Sequence, residues 1–173
     1  SEHPTFNDVK NDIKFLLKNN VPSEDIYIKY ILCYLSNGNW SAISKPDRVL
    51  FYYPLKSTFR SNNLKLSKAS ITSIQRIDKS SLSPKIKCGA NYINSRLGYL
   101  DVNQGNSNHP PVLPIFLDRN GYVSESSGAC VFCIKDKVIS TPSINSSILP
   151  SITRQFIIDL IIYKKTLKKC SKY

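Results

Sequence analysis

A chain of 173 residues, 41% hydrophobic and 10% aromatic, is long and apolar enough to bury the core of one domain or two small ones, which excludes a disordered polymer. Twenty-four basic residues against twelve acidic ones give a net charge of +12, but only Lys164, Lys165, Lys168 and Lys169 cluster, so a solvated basic surface is expected and no nucleic-acid partner. No apolar run reaches the ~18 residues of a membrane span and no signal-peptide pattern opens the chain; the odd count of five cysteines suits a reducing, cytoplasmic setting.

The first segment, TFNDVKNDIKFLLKNN, spaces Phe6, Val9, Ile13, Leu16 and Leu17 by three and four, which predicts an amphipathic helix capped by Thr5 or Asn7 and stopped at Asn19-Asn20. IYIKYILCYL is β-branched and aromatic and reads as a strand; SNGNW supplies a turn, and RVLFYYPL a second strand that Pro54 ends. KSTFRSNN has no periodicity and reads as a joint, giving a small unit over 1–54, a linker over 55–65 and a larger unit over 66–173. In the second unit LKLSKASITSIQRI alternates like a strand, and DKSSLSP is a loop. CGANYINSRLGYLDVNQ is helical, with Tyr92, Leu97 and Leu100 as expected buried positions. NSNHPP is not helical; VLPIFLD with RNGY is a strand and turn, and GACVFCIKDKVIST a hairpin turning at Lys135, Asp136 and Lys137. After the loop PSINSSI, LPSITRQFIIDLIIYKK closes the chain as a helix with Pro150 in its first turn.

Metal and hydrolytic chemistry find little support. Cys130 and Cys133 are three apart on an expected strand and so point to opposite faces, with no second pair and no nearby histidine, which favours buried thiols over a zinc site. His3 and His109 flank no serine, aspartate or cysteine constellation.

Four pieces carry a more specific signal: KCGANY, DRNGYVSESSGACVF and TPSINSSILPSITR in order along the chain, and the lysine that precedes them. Together they resemble the class IV, fold-type-IV pyridoxal-phosphate aminotransferases, and most closely the branched-chain amino acid aminotransferases. The resemblance implies an α+β, D-amino acid aminotransferase-like two-domain fold, here partial, with a small N-terminal α/β unit and a larger mixed sheet-and-helix domain. Relatives carry segments before the first helix and after the last, so a chain shortened at both ends is also implied.

The site residues follow from the same resemblance. Lys87 matches the lysine that forms the Schiff base with the pyridoxal 5'-phosphate aldehyde and later moves a proton. Tyr92 matches the tyrosine that hydrogen-bonds the cofactor's phenolic oxygen, and Glu125 the glutamate that pairs with its pyridine nitrogen. Ile152, by its N–H, and Thr153, by N–H and hydroxyl, match the phosphate ligands at a helix N-terminus. Gly89 and Ala90 are read as room for a flat cofactor. The implied reaction is amino transfer from Leu, Ile or Val to 2-oxoglutarate in a homodimer. Aminodeoxychorismate lyase and D-amino acid aminotransferase share these residues and remain alternatives within the family, as does a fragment that holds no cofactor.

Overall fold

The computed structural model describes residues 4–18, 21–35, 45–55, 66–104 and 110–170, with side chains to 164. The chain divides into two compact units, Ser1–Leu64 and Lys65–Tyr173. The linker expected over 55–65 lies, apart from Leu55, outside the described residues, as do the SNGNW turn, Asn19-Asn20 and most of NSNHPP.

In the first unit, helix α1 (Phe6–Lys18) starts at Thr5, not Asn7. The Asp8 N–H donates to Thr5 Oγ1 at 3.2 Å and the Thr5 N–H returns a bond to Asp8 Oδ2 at 2.7 Å, a reciprocal cap that satisfies two helix-start donors. Strands β1 (Ile26–Cys33) and β2 (Asp47–Pro54) pair antiparallel along their whole length, from Ile26 opposite Pro54 to Cys33 opposite Asp47. Asp12 ties the helix to this ribbon: Tyr30 Oη donates to its Oδ2 at 2.9 Å, and Arg48 Nη1 lies 2.9 Å from the same oxygen. The other face of the ribbon carries stacked Tyr27 and Tyr53 rings, 5.2 Å apart, beside Phe51.

The second unit is built on a three-stranded sheet ordered β3 (Ala69–Ile71), β4 (Leu113–Leu117), β5 (Val123–Ser126). The β3–β4 pair is parallel, and β4–β5 antiparallel with an irregularity between Ile115 and Leu117. The strand expected over LKLSKASITSIQRI shrinks to three residues. Past Ile71 the N–H groups of Thr72 and Arg76 still reach β4, at the Ile115 and Leu117 carbonyls, but the backbone between and after them bonds with side chains: the Thr72 hydroxyl and the Ser73 N–H both donate to Asp101 at 2.7 Å, and Asn94 accepts from Ile77 and donates to Gln75. Helix α2 (Gly89–Val102) lies between β3 and β4 in sequence, where a connection between parallel strands needs a crossover element.

The face that α2 buries differs from the expected one. Tyr92, Leu97 and Leu100 are 42%, 49% and 45% exposed, while Asn91, Ser95 and Gly98 are buried. Their spacing of four and three is helical, but the side chains are small and polar. The reason is close approach: a Cβ on Gly98 would stand inside the ring of Phe116, which is fully buried on β4. A large residue on that face would push the helix off the sheet.

The short hairpin β6 (Cys133–Lys135) and β7 (Val138–Ser140) turns through Asp136 and Lys137, both at positive φ (48° and 63°), the sign pattern of a type I′ turn. Cys130 precedes β6 rather than lying on a strand, and Cys133 is exposed, so the thiols expected to be buried are not; the three-residue strand has no layer over it among the described residues. Helix α3 (Ile152–Cys170) begins after Ser151, which places Pro150 before the helix rather than in its first turn. No described helix is long and apolar enough to cross a membrane.

Candidate active site

Around one cavity of about 590 Å3 in the second unit stand Lys87, Tyr92, Glu125, Ile152 and Thr153, so all five residues singled out in the sequence line a single space. Lys85 lines it too. That volume is in the range of small-molecule sites.

Each side chain arrives by a definable local device. Lys87 ends a tight loop whose carbonyls at Ser83 and Ile86 both accept from Asn91 Nδ2, at 3.0 and 2.7 Å. Asn91 sits one turn into α2, so the helix itself folds back the segment that delivers the lysine. Tyr92, next along the helix, is turned away from the sheet and toward the cavity, which is why it is not a core residue. Gly89 has open space where a Cβ would project, so among the described residues no neighbour requires a glycine there.

Glu125 is the centre of the arrangement. It lies on β5 beside the fully buried Ser124, whose hydroxyl donates to the Ser147 carbonyl at 3.2 Å. Its Oε1 meets Arg76 Nη2 at 2.7 Å, with the two side chains only 8% and 5% exposed. Its Oε2 accepts the Leu149 N–H at 3.0 Å, which anchors the loop running into α3. Burial pushes the Glu125 carboxyl above its ordinary range, while the Leu149 N–H and the Arg76 guanidinium pull the other way.

At the start of α3, Ser151 does the capping: the Arg154 N–H donates to its Oγ at 3.2 Å and the Gln155 N–H to its carbonyl at 3.1 Å. The N–H groups of Ile152 and Thr153 precede the first intrahelical bond, and both residues line the cavity at the end of the helix where the dipole favours negative charge. The chemistry of this set is an amine, a phenol, a buried carboxylate and a helix start around one void.

Arg76 and Asn91 went unnoticed in the sequence. An isolated arginine inside SIQRID and an asparagine in the first turn of a helix carry no motif of their own; a buried-polar reading of GANY was the one available signal.

Against known protein families, residues 3–169 match the model of "Amino-transferase class IV". The chain belongs to this family. Among curated class IV relatives, the branched-chain-amino-acid aminotransferase of Escherichia coli K12 is 39% identical over 92 residues, which are 53% of this chain and 28% of that protein. Among solved structures, the branched-chain amino acid aminotransferase of Thermobaculum terrenum in its PLP form superposes with a TM-score of 0.74 at 30% identity, over 90% of this chain and 50% of that one. The Escherichia coli enzyme superposes with a TM-score of 0.71 at 25% identity, over 94% and 51%. The fold is therefore that of a class IV aminotransferase in part, and the chain spans about half the length of these solved relatives.

Proposed function

We propose that this chain carries the pyridoxal-phosphate site of a branched-chain amino acid aminotransferase, transferring the amino group of Leu, Ile or Val to 2-oxoglutarate. Pyridoxal phosphate, when bound, supplies an aldehyde for the amino group and a ring that withdraws electrons from the substrate carbon. Lys87 binds it covalently and moves the proton at the substrate Cα. Tyr92 donates to the phenolic oxygen. Glu125 holds a proton on the ring nitrogen. Ile152 and Thr153 hold the phosphate with two N–H groups and a hydroxyl. The donor set fits the cofactor group by group, and the meeting of these five residues on one cavity is the observation that carries the reading. Branched-chain specificity is supported by the names of the similar proteins. A homodimer, a cytoplasmic location and a joint over 55–65 between a small and a large domain belong to the same reading.

Borohydride trapping tests it. The 173-residue chain is incubated with pyridoxal phosphate, reduced, and mapped by peptide mass spectrometry. The label is expected on Lys87, lost in Lys87→Ala and kept in Lys85→Ala, whose lysine lines the same cavity two residues away. A label on Lys85, or spread evenly over surface lysines, sinks the assignment. Leu, Ile and Val, assayed against D-amino acids and aminodeoxychorismate, then decide among the family's reactions.

A further inference from the structure

One buried cation connects every part of this site. The Arg76 backbone is fixed by its N–H bond to the Leu117 carbonyl at 2.8 Å. Its guanidinium then reaches two ways. Nη1 donates to α2, at Asn94 Oδ1 (3.0 Å), Ser95 Oγ (3.4 Å) and the Asn91 carbonyl (3.4 Å), while Nη2 pairs with Glu125 on β5 at 2.7 Å. Beneath it, the Phe116 ring centroid lies 5.8 Å from Cζ.

We infer that Arg76 is a positioning residue for the proposed reaction: from α2, the helix that Lys87 precedes, it fixes where the Glu125 carboxylate stands relative to the Lys87 amine. The inference rests on the reading above in taking Lys87 and Glu125 as the working pair. A guanidinium is planar and rigid, so the separation of its two amino groups becomes the separation of α2 from the carboxylate. Asn91 extends the linkage, since its carbonyl accepts from Arg76 and its side chain clamps the loop that ends at Lys87. A lysine offers a single nitrogen on a flexible stem and cannot reproduce that fixed separation.

Arg76 also supplies charge. A carboxylate must stay ionised to keep a proton on a ring nitrogen, and Glu125 is buried where ionisation is disfavoured. The other titratable groups facing it are Lys85, Lys87, Tyr92 and Cys130 across the cavity, and Arg154 from a smaller void behind. Among the described residues, Arg76 alone is in ion-pair contact with it.

The test uses Arg76→Gln and two readouts. The first is the pH dependence of the visible absorbance of the Lys87-linked pyridoxal phosphate adduct. With Glu125 less ionised the ring withdraws electrons less strongly, the adduct becomes more basic, and its transition is expected to move to higher pH by about one unit, a tenfold change. The second needs no cofactor. The chain has three glutamates, Glu2, Glu24 and Glu125, so carboxyl carbon-13 NMR resolves Glu125. Its midpoint is expected to rise by a similar amount, with Glu2 and Glu24 unmoved. Unchanged transitions in a folded Arg76→Gln overturn the inference while leaving Lys87 labelling intact. If the unsubstituted chain takes no label at Lys87, the cofactor reading falls and the carboxyl titration alone decides the role of Arg76. Should Arg76→Gln not fold, Arg76→Lys carries the same measurements, with smaller shifts in the same direction expected and none overturning the inference.

Discussion

Thr153 lines the cavity from the first turn of α3, beside Ile152, and in the proposed site gives the phosphate its hydroxyl and N–H. Because the backbone donors survive substitution, Thr153→Ala is expected to weaken pyridoxal phosphate affinity without abolishing it. One hydrogen bond to a charged group contributes about 1.5–3 kcal/mol, so a rise in Kd of roughly ten- to a hundredfold by absorbance titration is expected; an unchanged Kd would place the phosphate elsewhere. Asp101 presents the opposite case, a carboxylate whose role is in the fold. The Thr72 hydroxyl, with the Ser73 N–H and hydroxyl, holds its pKa below the ordinary 3.8. A depressed folded-state pKa means that the unfolded chain takes up the proton first as pH falls. The stabilisation is therefore present above pH 3.8 and lost as pH drops through the lower folded value. Asp101→Asn should lower Tm at pH 7, and the gap to the unsubstituted chain should narrow in acid below that range. At this scale the sequence was legible wherever a residue belonged to a motif, as Lys87 and Glu125 do. It was illegible for Arg76, whose meaning comes from partners 15 to 49 positions away in the chain.

Helix α2 shows what the pattern of a single element can and cannot convey. Its existence follows from the run Cys88 to Gln104, and the structure places it at Gly89–Val102, one residue shorter at the start and two at the end. Its inward face does not follow, because apolar periodicity counts large side chains, and this helix lies too close to β4 to admit them. Gly98 over Phe116 is the point of closest approach. Gly98→Ala should therefore destabilise the chain despite the better helix propensity of alanine. Overpacking costs about 1–3 kcal/mol, read as a lower denaturation midpoint with the slope unchanged. Phe116→Leu in the same background should recover part of the loss by making room. A neutral or stabilising Gly98→Ala would mean that α2 is free to lift from the sheet. Strand β3 is short for a related reason: it ends at Ile71, and although Thr72 and Arg76 still donate to β4 carbonyls, the carboxylate of Asp101 and the side chain of Asn94 take the Ser73, Gln75 and Ile77 backbone groups that a longer strand would have paired.

Across the whole molecule, the order of elements was readable from turn residues and periodicity, and the gathering of Lys87, Tyr92, Glu125, Ile152 and Thr153 from the succession of motifs. The polar framework beneath them was not, since buried asparagines and serines look like surface residues in a sequence. The first unit leaves Tyr27, Phe51 and Tyr53 exposed on one face of its ribbon, which is apolar surface of the kind that association covers. In the proposed homodimer, light scattering should return twice the 19.6 kDa chain mass, and a monodisperse monomer at high concentration would count against that assembly. The arrangement around Glu125 has a further, evolutionary consequence. Lys87 is exposed, and no hydrogen bond or ion pair to another described residue holds its amine, so the fold places no demand on it. Arg76 and Glu125 are buried against each other, and loss of either strands the charge of the other. A descendant released from the proposed amino transfer would therefore be expected to shed its lysine first and keep the carboxylate and its guanidinium long after either had chemistry to perform.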